Sequence, residues 1–164
     1  MRSQPHSPEG LQHEKEVDEM YFVDREKIEA ILVFLEEQIN LFLKQKGWRS
    51  PIEKAALERV THLMIEAVLD VGNSMIDGFI MRDPGSYEDI IEILTDEKVI
   101  SHETSQSLKI LVQYRKVLVQ NYTEIDHVAL EEQFKVHIDA LKEFTVNVRD
   151  YLENELGPVS AFKN

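Results

Sequence analysis

Apolar side chains recur at three- and four-residue steps along most of this chain, the spacing that lines one face of an α-helix. Ile28, Ile31, Leu32, Leu35, Ile39, Phe42 and Leu43 give a first helix, with Asp24 as its N-cap and Gly47 as its stop. Ser50-Pro51-Ile52-Glu53 then joins a serine cap, a proline in the first turn and a glutamate three past the cap, which is a complete capping box. A second helix is therefore predicted from Pro51 to the Asp83-Pro84-Gly85 turn, with Val60, Leu63, Met64, Ala67, Val68, Val71 and Met75 as its core stripe. Ile65, Leu69, Gly72 and Ile76 form a second apolar stripe on the same helix. A helix apolar on two sides is either central in a bundle or shared between two chains.

Ser86, with Asp89 three later, caps a short helix carrying Ile90, Ile91 and Leu94. Ser101 opens the next, where Leu108, Leu111, Val112, Leu118, Val119 and Tyr122 make one stripe and Ile110, Tyr114 and Val117 another. The stretch from Tyr122 to Asp126 reads as a break. A long last helix then carries Phe134, Ile138, Leu141, Val148 and Leu152 and stops at Gly157-Pro158. No segment alternates with period two, so the expected fold is an all-α bundle of four long helices and one short one. Residues 1–19 lack any apolar period and are expected to be a disordered leader, native or appended, ahead of one helical domain over 20–164.

Composition narrows the chemistry. At 164 residues with 43% apolar side chains the chain can bury one core. The absence of cysteine removes disulfides, thiolate metal sites and a cysteine nucleophile, and makes a cytoplasmic setting the default. No apolar run approaches the roughly 20 residues that span a bilayer, so no membrane partner is expected. A net charge of -13 repels polyanions on average, which argues against non-specific DNA binding. Phosphate-cradling glycine motifs, the G-x-S-x-G elbow and H-E-x-x-H are all missing from the sequence. His62, His102, His127 and His137 are scattered, and no metal or cofactor is expected.

Two helix faces stand out. On the second helix His62, Glu66, Asp70, Asn73 and Asp77 share a polar stripe, read as a solvated face or as i, i+4 carboxylates that could ligate metal, although the Glu-x-x-His pairs that di-iron bundles take from two helices are missing from the predicted helices. Between Ser105 and Thr123 the chain has Lys109, Arg115 and Lys116 and no acid. Arg115 lies on the stripe with Leu111, Leu118 and Tyr122, where an unpaired cation is costly, so it needs a partner. That partner is either Glu66 or Asp70 across the bundle, or a bound phosphate that the guanidinium grips in a fork.

The segment from Arg115 to Asp126, Arg-Lys-Val-Leu-Val-Gln-Asn-Tyr-Thr-Glu-Ile-Asp, resembles the signature of the HepT-like family of the HEPN superfamily, small helical ribonuclease toxins. The family pattern reads Arg-Asn-x-Leu-Val-His-x-Tyr, with Ile-Asp two residues later. Ile65-Glu66-Ala67-Val68-Leu69-Asp70 with Asn73, and Pro84-Gly85-Ser86-Tyr87, add to the likeness, which covers about Met20 to Glu155. Within the family the chain is especially similar to a Firmicutes branch with the Met-Tyr-Phe-Val-Asp-Arg start seen here at Met20 to Arg25.

The resemblance implies a HEPN-like up-and-down bundle that dimerises so that two motif helices meet over a cleft for RNA. It also implies metal-independent cleavage by the motif arginine and histidine, and a minimal nucleotidyltransferase antitoxin that transfers AMP to the motif tyrosine. The implied catalytic positions are Arg115, Gln120 and Tyr122; Lys109, Lys116 and Asn121 are implied RNA or nucleotide contacts, and Glu66, Asp70 and Asn73 a supporting polar face. Here the motif histidine is Gln120 and the asparagine after the arginine is Lys116. An amide does not exchange protons near neutral pH, so Gln120 can hydrogen-bond a phosphate but cannot serve as general acid or base. The expectation is an RNA- or nucleotide-binding homodimer whose cleavage is weakened or lost. An active toxin that uses Arg115 with Tyr122, or with His102 supplied across the dimer, and a purely structural interaction module are the alternatives.

Overall fold

A computed structural model describes residues 22–158, and the expected leader and the first two residues of the Met20–Arg25 start lie outside the described residues. Seven helical segments occur among them and no strand: α1 Arg25–Lys44, α2 Pro51–Gly78, α3 Tyr87–Asp96, α4 His102–Val112, α5 Tyr114–Val119, α6 His127–Val136 and α7 Ile138–Leu156. α4 with α5, and α6 with α7, are the two long rods the periodicity predicts, each interrupted at a single residue, Gln113 and His137. Neither break has a proline or glycine, so nothing local announces it.

The helix starts follow side-chain chemistry. Asp24, Ser50, Ser86, Ser101 and Asp126 each accept a hydrogen bond from the backbone N–H three residues on. At Ser50 the reciprocal half of the box is also made, Glu53 accepting from the Ser50 N–H at 3.0 Å. Two ends differ from expectation. α1 closes at Gln45 instead of Gly47, and Leu43 falls on its outer side, 46% exposed. α2 stops at Gly78, well before the Asp83-Pro84-Gly85 turn. There Met81 N–H bonds Ile76 C=O at 2.9 Å and Ile80 N–H bonds Asp77 C=O at 3.4 Å, with Ile80 left-handed at φ 57°. This is a Schellman end, with isoleucine where glycine is usual. α3 ends the same way on Lys98 (φ 63°), Val99 N–H reaching Leu94 C=O at 2.8 Å.

α2 is the axis of the bundle, packed against α1, α3, α5 and α6, while α7 closes the far side against α1 and α4. Its stripe of Ile65, Leu69, Gly72 and Ile76 is buried inside the chain, so of the two alternatives the central helix holds and this stripe is not left for a second copy. Gly72 is the reason: a Cβ there would sit 2.5 Å from Ile90 Cγ2, so only glycine lets α3 lie this close. Phe134 on α6 meets the ring of Phe42 on α1 at 6.3 Å and that of Tyr114 on α5 at 6.4 Å, tying three helices together. On the outside, Arg149 of α7 forks onto Glu29 and Glu36 of α1 at 2.7–3.1 Å.

Candidate functional site

Arg115 sits in the first turn of α5, two residues past the Gln113 break, and reaches back to α2. Its Nε and Nη2 donate to Glu66 Oε2 and Oε1 at 3.0 and 3.2 Å, a bidentate fork. Its Cζ also lies 4.4 Å from the centroid of the Tyr87 ring, a cation–π contact with the first residue of α3. Of the partners weighed from sequence, Glu66 is therefore the one engaged. The pair is not buried: the two side chains are 23% and 31% exposed, and Nη1 lies outside the fork. The Glu66 hydrogen bond raises the Arg115 pKa above its ordinary value, so the guanidinium is charged throughout.

Around this pair lies a cleft of about 520 Å³ bordered by Ser86, Tyr87, Glu88, Val112, Gln113, Arg115, Lys116 and Gln120. α3 and α5 thus build it together. The loop that delivers α3 is held by Asp89, which accepts from both Arg82 nitrogens at 2.8 Å and from Gly85 N–H at 2.9 Å. The Arg82 guanidinium keeps the Asp89 carboxyl down to about 2. Across the cleft, Gln113 Nε2 donates to Glu88 Oε2 at 2.9 Å.

Three of the expected residues meet here: Arg115, Lys116 and Gln120, the last as the C-cap of α5 with its N–H on Lys116 C=O at 2.8 Å. Others stand elsewhere. Tyr122 is 65% exposed on the turn beyond α5, and Asn121 is exposed on the same turn, its carbonyl accepting from Glu124 N–H at 3.0 Å. Lys109 pairs with Glu92 and borders a separate hollow with Gly85, Ser86 and Asp89. His102 begins α4 and bonds Gln106 at 3.1 Å. Asp70 and Asn73 are exposed on α2. Partial desolvation by the surrounding protein atoms, with the negative charge of Glu66 second, raises the Asp70 carboxyl above its ordinary value although the side chain reaches solvent.

Within the polar stripe of α2, Glu66 serves as an anchor while Asp70, Asn73 and Asp77 stay exposed to solvent. Glu66 holds α5 through Arg115, and one turn pair earlier Glu58 accepts from His127 Nε2 at 2.6 Å, pinning the start of α6. Sequence reading stopped at His62 and missed Glu58, although its spacing of four from His62 carried the signal. Tyr87 is marked by the Pro84-Gly85-Ser86-Tyr87 likeness, but its contact with Arg115 and the Gln113–Glu88 link leave no signal, since they join separate helices. Among the described residues no group of His, Asp and Glu is arranged to hold a metal ion, and no helix is long and apolar enough to cross a membrane.

A five-rod helical bundle, with a signature arginine on its fourth rod anchored to a glutamate of its second, defines a HEPN-type domain. The sequence profile described as Ribonuclease HepT-like matches residues 25–148, and the chain belongs to that family. YutE of Bacillus subtilis (strain 168), named as a proposed RNase, is 56% identical over 144 residues, 88% of this chain and 100% of that relative. The solved structure of YutE, described as a cytosolic protein of unknown function, matches with a TM-score of 0.84, covering 87% of this chain and 100% of that one. A Shewanella oneidensis HEPN toxin, tri-AMPylated and in complex with an MNT antitoxin, has the same fold at 16% identity, with a TM-score of 0.68 over 75% of this chain and 96% of its own. So does a toxin–antitoxin crystal structure with AMP-PNP, at 17% identity and a TM-score of 0.66 over 74% and 96%.

Proposed function

We propose that this chain is a homodimeric RNA-binding member of the HepT-like ribonucleases, working in the cytoplasm, in which metal-independent cleavage is weak or absent. The observation that carries this is the solvent-open Arg115 fork, set in a cleft with Lys116 and Gln120. A phosphate entering the cleft meets Nη1 of an arginine that Glu66 and Tyr87 already hold in one orientation, so little side-chain entropy is lost on binding. Lys116 adds a second cation. Gln120 can donate to a phosphate oxygen, but the proton transfers of cleavage need a titrating group, worth roughly 10²- to 10⁴-fold.

Dimerisation would cover the stripe of Ile110, Tyr114 and Val117, none of which is fully buried. It would also bring two Arg115 clefts together. An antitoxin of the nucleotidyltransferase kind is the second partner we propose, on the model of the Shewanella toxin; the exposure of Tyr122 leaves its hydroxyl open to AMP transfer.

The test compares wild type, Gln120→His, and Arg115→Ala with Gln120→His on single-stranded RNA in EDTA. The histidine variant should cleave well above wild type, and removing Arg115 should abolish the gain. Equal background in all three would remove the nuclease-site reading, and wild-type cleavage equal to the histidine variant would mean Gln120 is no impediment. Light scattering should give about twice the 19.1 kDa chain mass, and a monomer at micromolar concentration would rule out the dimer.

A further inference from the structure

The cleft beside Arg115 holds groups that a phosphate grip does not use. Glu88 borders it, and a carboxylate there repels a phosphate. Tyr87 also borders it and stays 49% exposed even though Arg115 covers one face of its ring. An aromatic ring with an open side is a stacking platform for a nucleobase. The Glu88 carboxylate beside it is not loose, because Gln113 Nε2 holds Oε2 at 2.9 Å. Gln113 is itself fixed at the α4–α5 junction, where its N–H bonds Lys109 C=O at 3.3 Å. The cleft, at about 520 Å³, is within the size range of small-ligand sites.

Resting on the RNA reading above, we infer that this cleft selects a guanine base, stacked on Tyr87 and read by the Glu88 carboxylate. Two acceptor oxygens side by side complement the adjacent N1–H and N2–H donors on the Watson–Crick edge of guanine. Adenine and cytosine each turn a ring-nitrogen acceptor toward the carboxylate. Uracil offers one N–H flanked by two carbonyls. Each of those leaves lone pairs facing lone pairs, the arrangement that costs most when it is desolvated. Gln113 keeps the carboxylate rotamer in place, which makes it a positioning residue, and the flanking phosphate falls to Arg115 and Lys116.

The experiment is fluorescence anisotropy of the full chain, in EDTA, with labelled oligouridines that carry one central G, A, C or U. The G oligonucleotide should bind roughly tenfold tighter or better than the other three. Glu88→Gln, an exposed and near-isosteric change, should erase that ranking without weakening the U, A and C oligonucleotides. Tyr87→Ala should weaken all four, and circular dichroism would show that both variants keep their helices. Equal affinity for all four bases, lost on Arg115→Ala, would overturn the guanine assignment while leaving RNA binding in place. A ranking that survives Glu88→Gln would also overturn it. Wild-type binding to none of the four would overturn the RNA reading itself, and the guanine assignment with it.

Discussion

α2 and α5 are helices of opposite kinds. α2 runs 28 residues from a full capping box and buries side chains along its length from Leu57 to Gly78. α5 has six residues, no side-chain cap and no buried residue, yet it carries the opening of the family signature, Arg115 to Val119. A helix that short does not hold itself together in water. It is kept in place by the Arg115 fork on Glu66, by Tyr114 against Phe134, and by its near-continuity with α4. The helix that builds the core and the helix that opens the family signature are therefore different ones, and the Arg115–Glu66 ion pair, which solvent reaches, is one of the contacts between them.

Substitutions should expose this division, beginning where the effect is largest. Met64→Ala, at a fully buried position on α2, should lower the urea-unfolding free energy by about 2–5 kcal/mol. A loss below about 1 kcal/mol would mean α2 is not the axis of the core. Gly72→Ala would gain about 1 kcal/mol of helix propensity in isolation. With Ile90 Cγ2 only 2.5 Å from the new Cβ, the net change should instead be a loss of roughly 1–3 kcal/mol by overpacking. A rise in thermal midpoint would show that α3 has room to move. At the end of the same helix, Ile80→Gly relieves a left-handed β-branched residue whose side chain is 65% exposed. It should stabilise by about 1 kcal/mol, seen as a higher denaturant midpoint at unchanged slope. Arg115→Ala on α5 should move stability least, by up to about 1 kcal/mol, because its ion pair is partly exposed. Its binding of RNA should nonetheless be lost, and a stability loss several times larger would place α5 in the structural half of the molecule.

What the sequence discloses follows the same division. Asp24, Ser50, Ser86, Ser101 and Asp126 mark helix starts because each cap is a bond between residues three apart, and such chemistry is legible locally. The ends at Ile80 and Lys98 are not, since a left-handed residue without glycine leaves no mark on the sequence. The breaks at Gln113 and His137 escape because neither carries a proline or glycine. Of the candidate site, the Arg115–Glu66 pairing was one of the alternatives that helix-face arithmetic offered. Tyr87 under Arg115, Glu88 bound by Gln113, and Glu58 bound by His127 depend on how helices cross, and only the packed bundle supplies that.

The hydrogen bond from Arg25 Nη1 to the Gly157 carbonyl oxygen spans 132 positions and brings the beginning of α1 beside the end of α7. The bundle is thus almost a closed ring in its connectivity. A short linker from residue 158 back to residue 22, with new ends opened at Lys46 and Gly47, would give a circular permutant in which every helix is intact. α1 would then be synthesised last, and its docking onto α2 and α7 would complete the core with Ile28, Leu32, Leu35, Ile39 and Phe42.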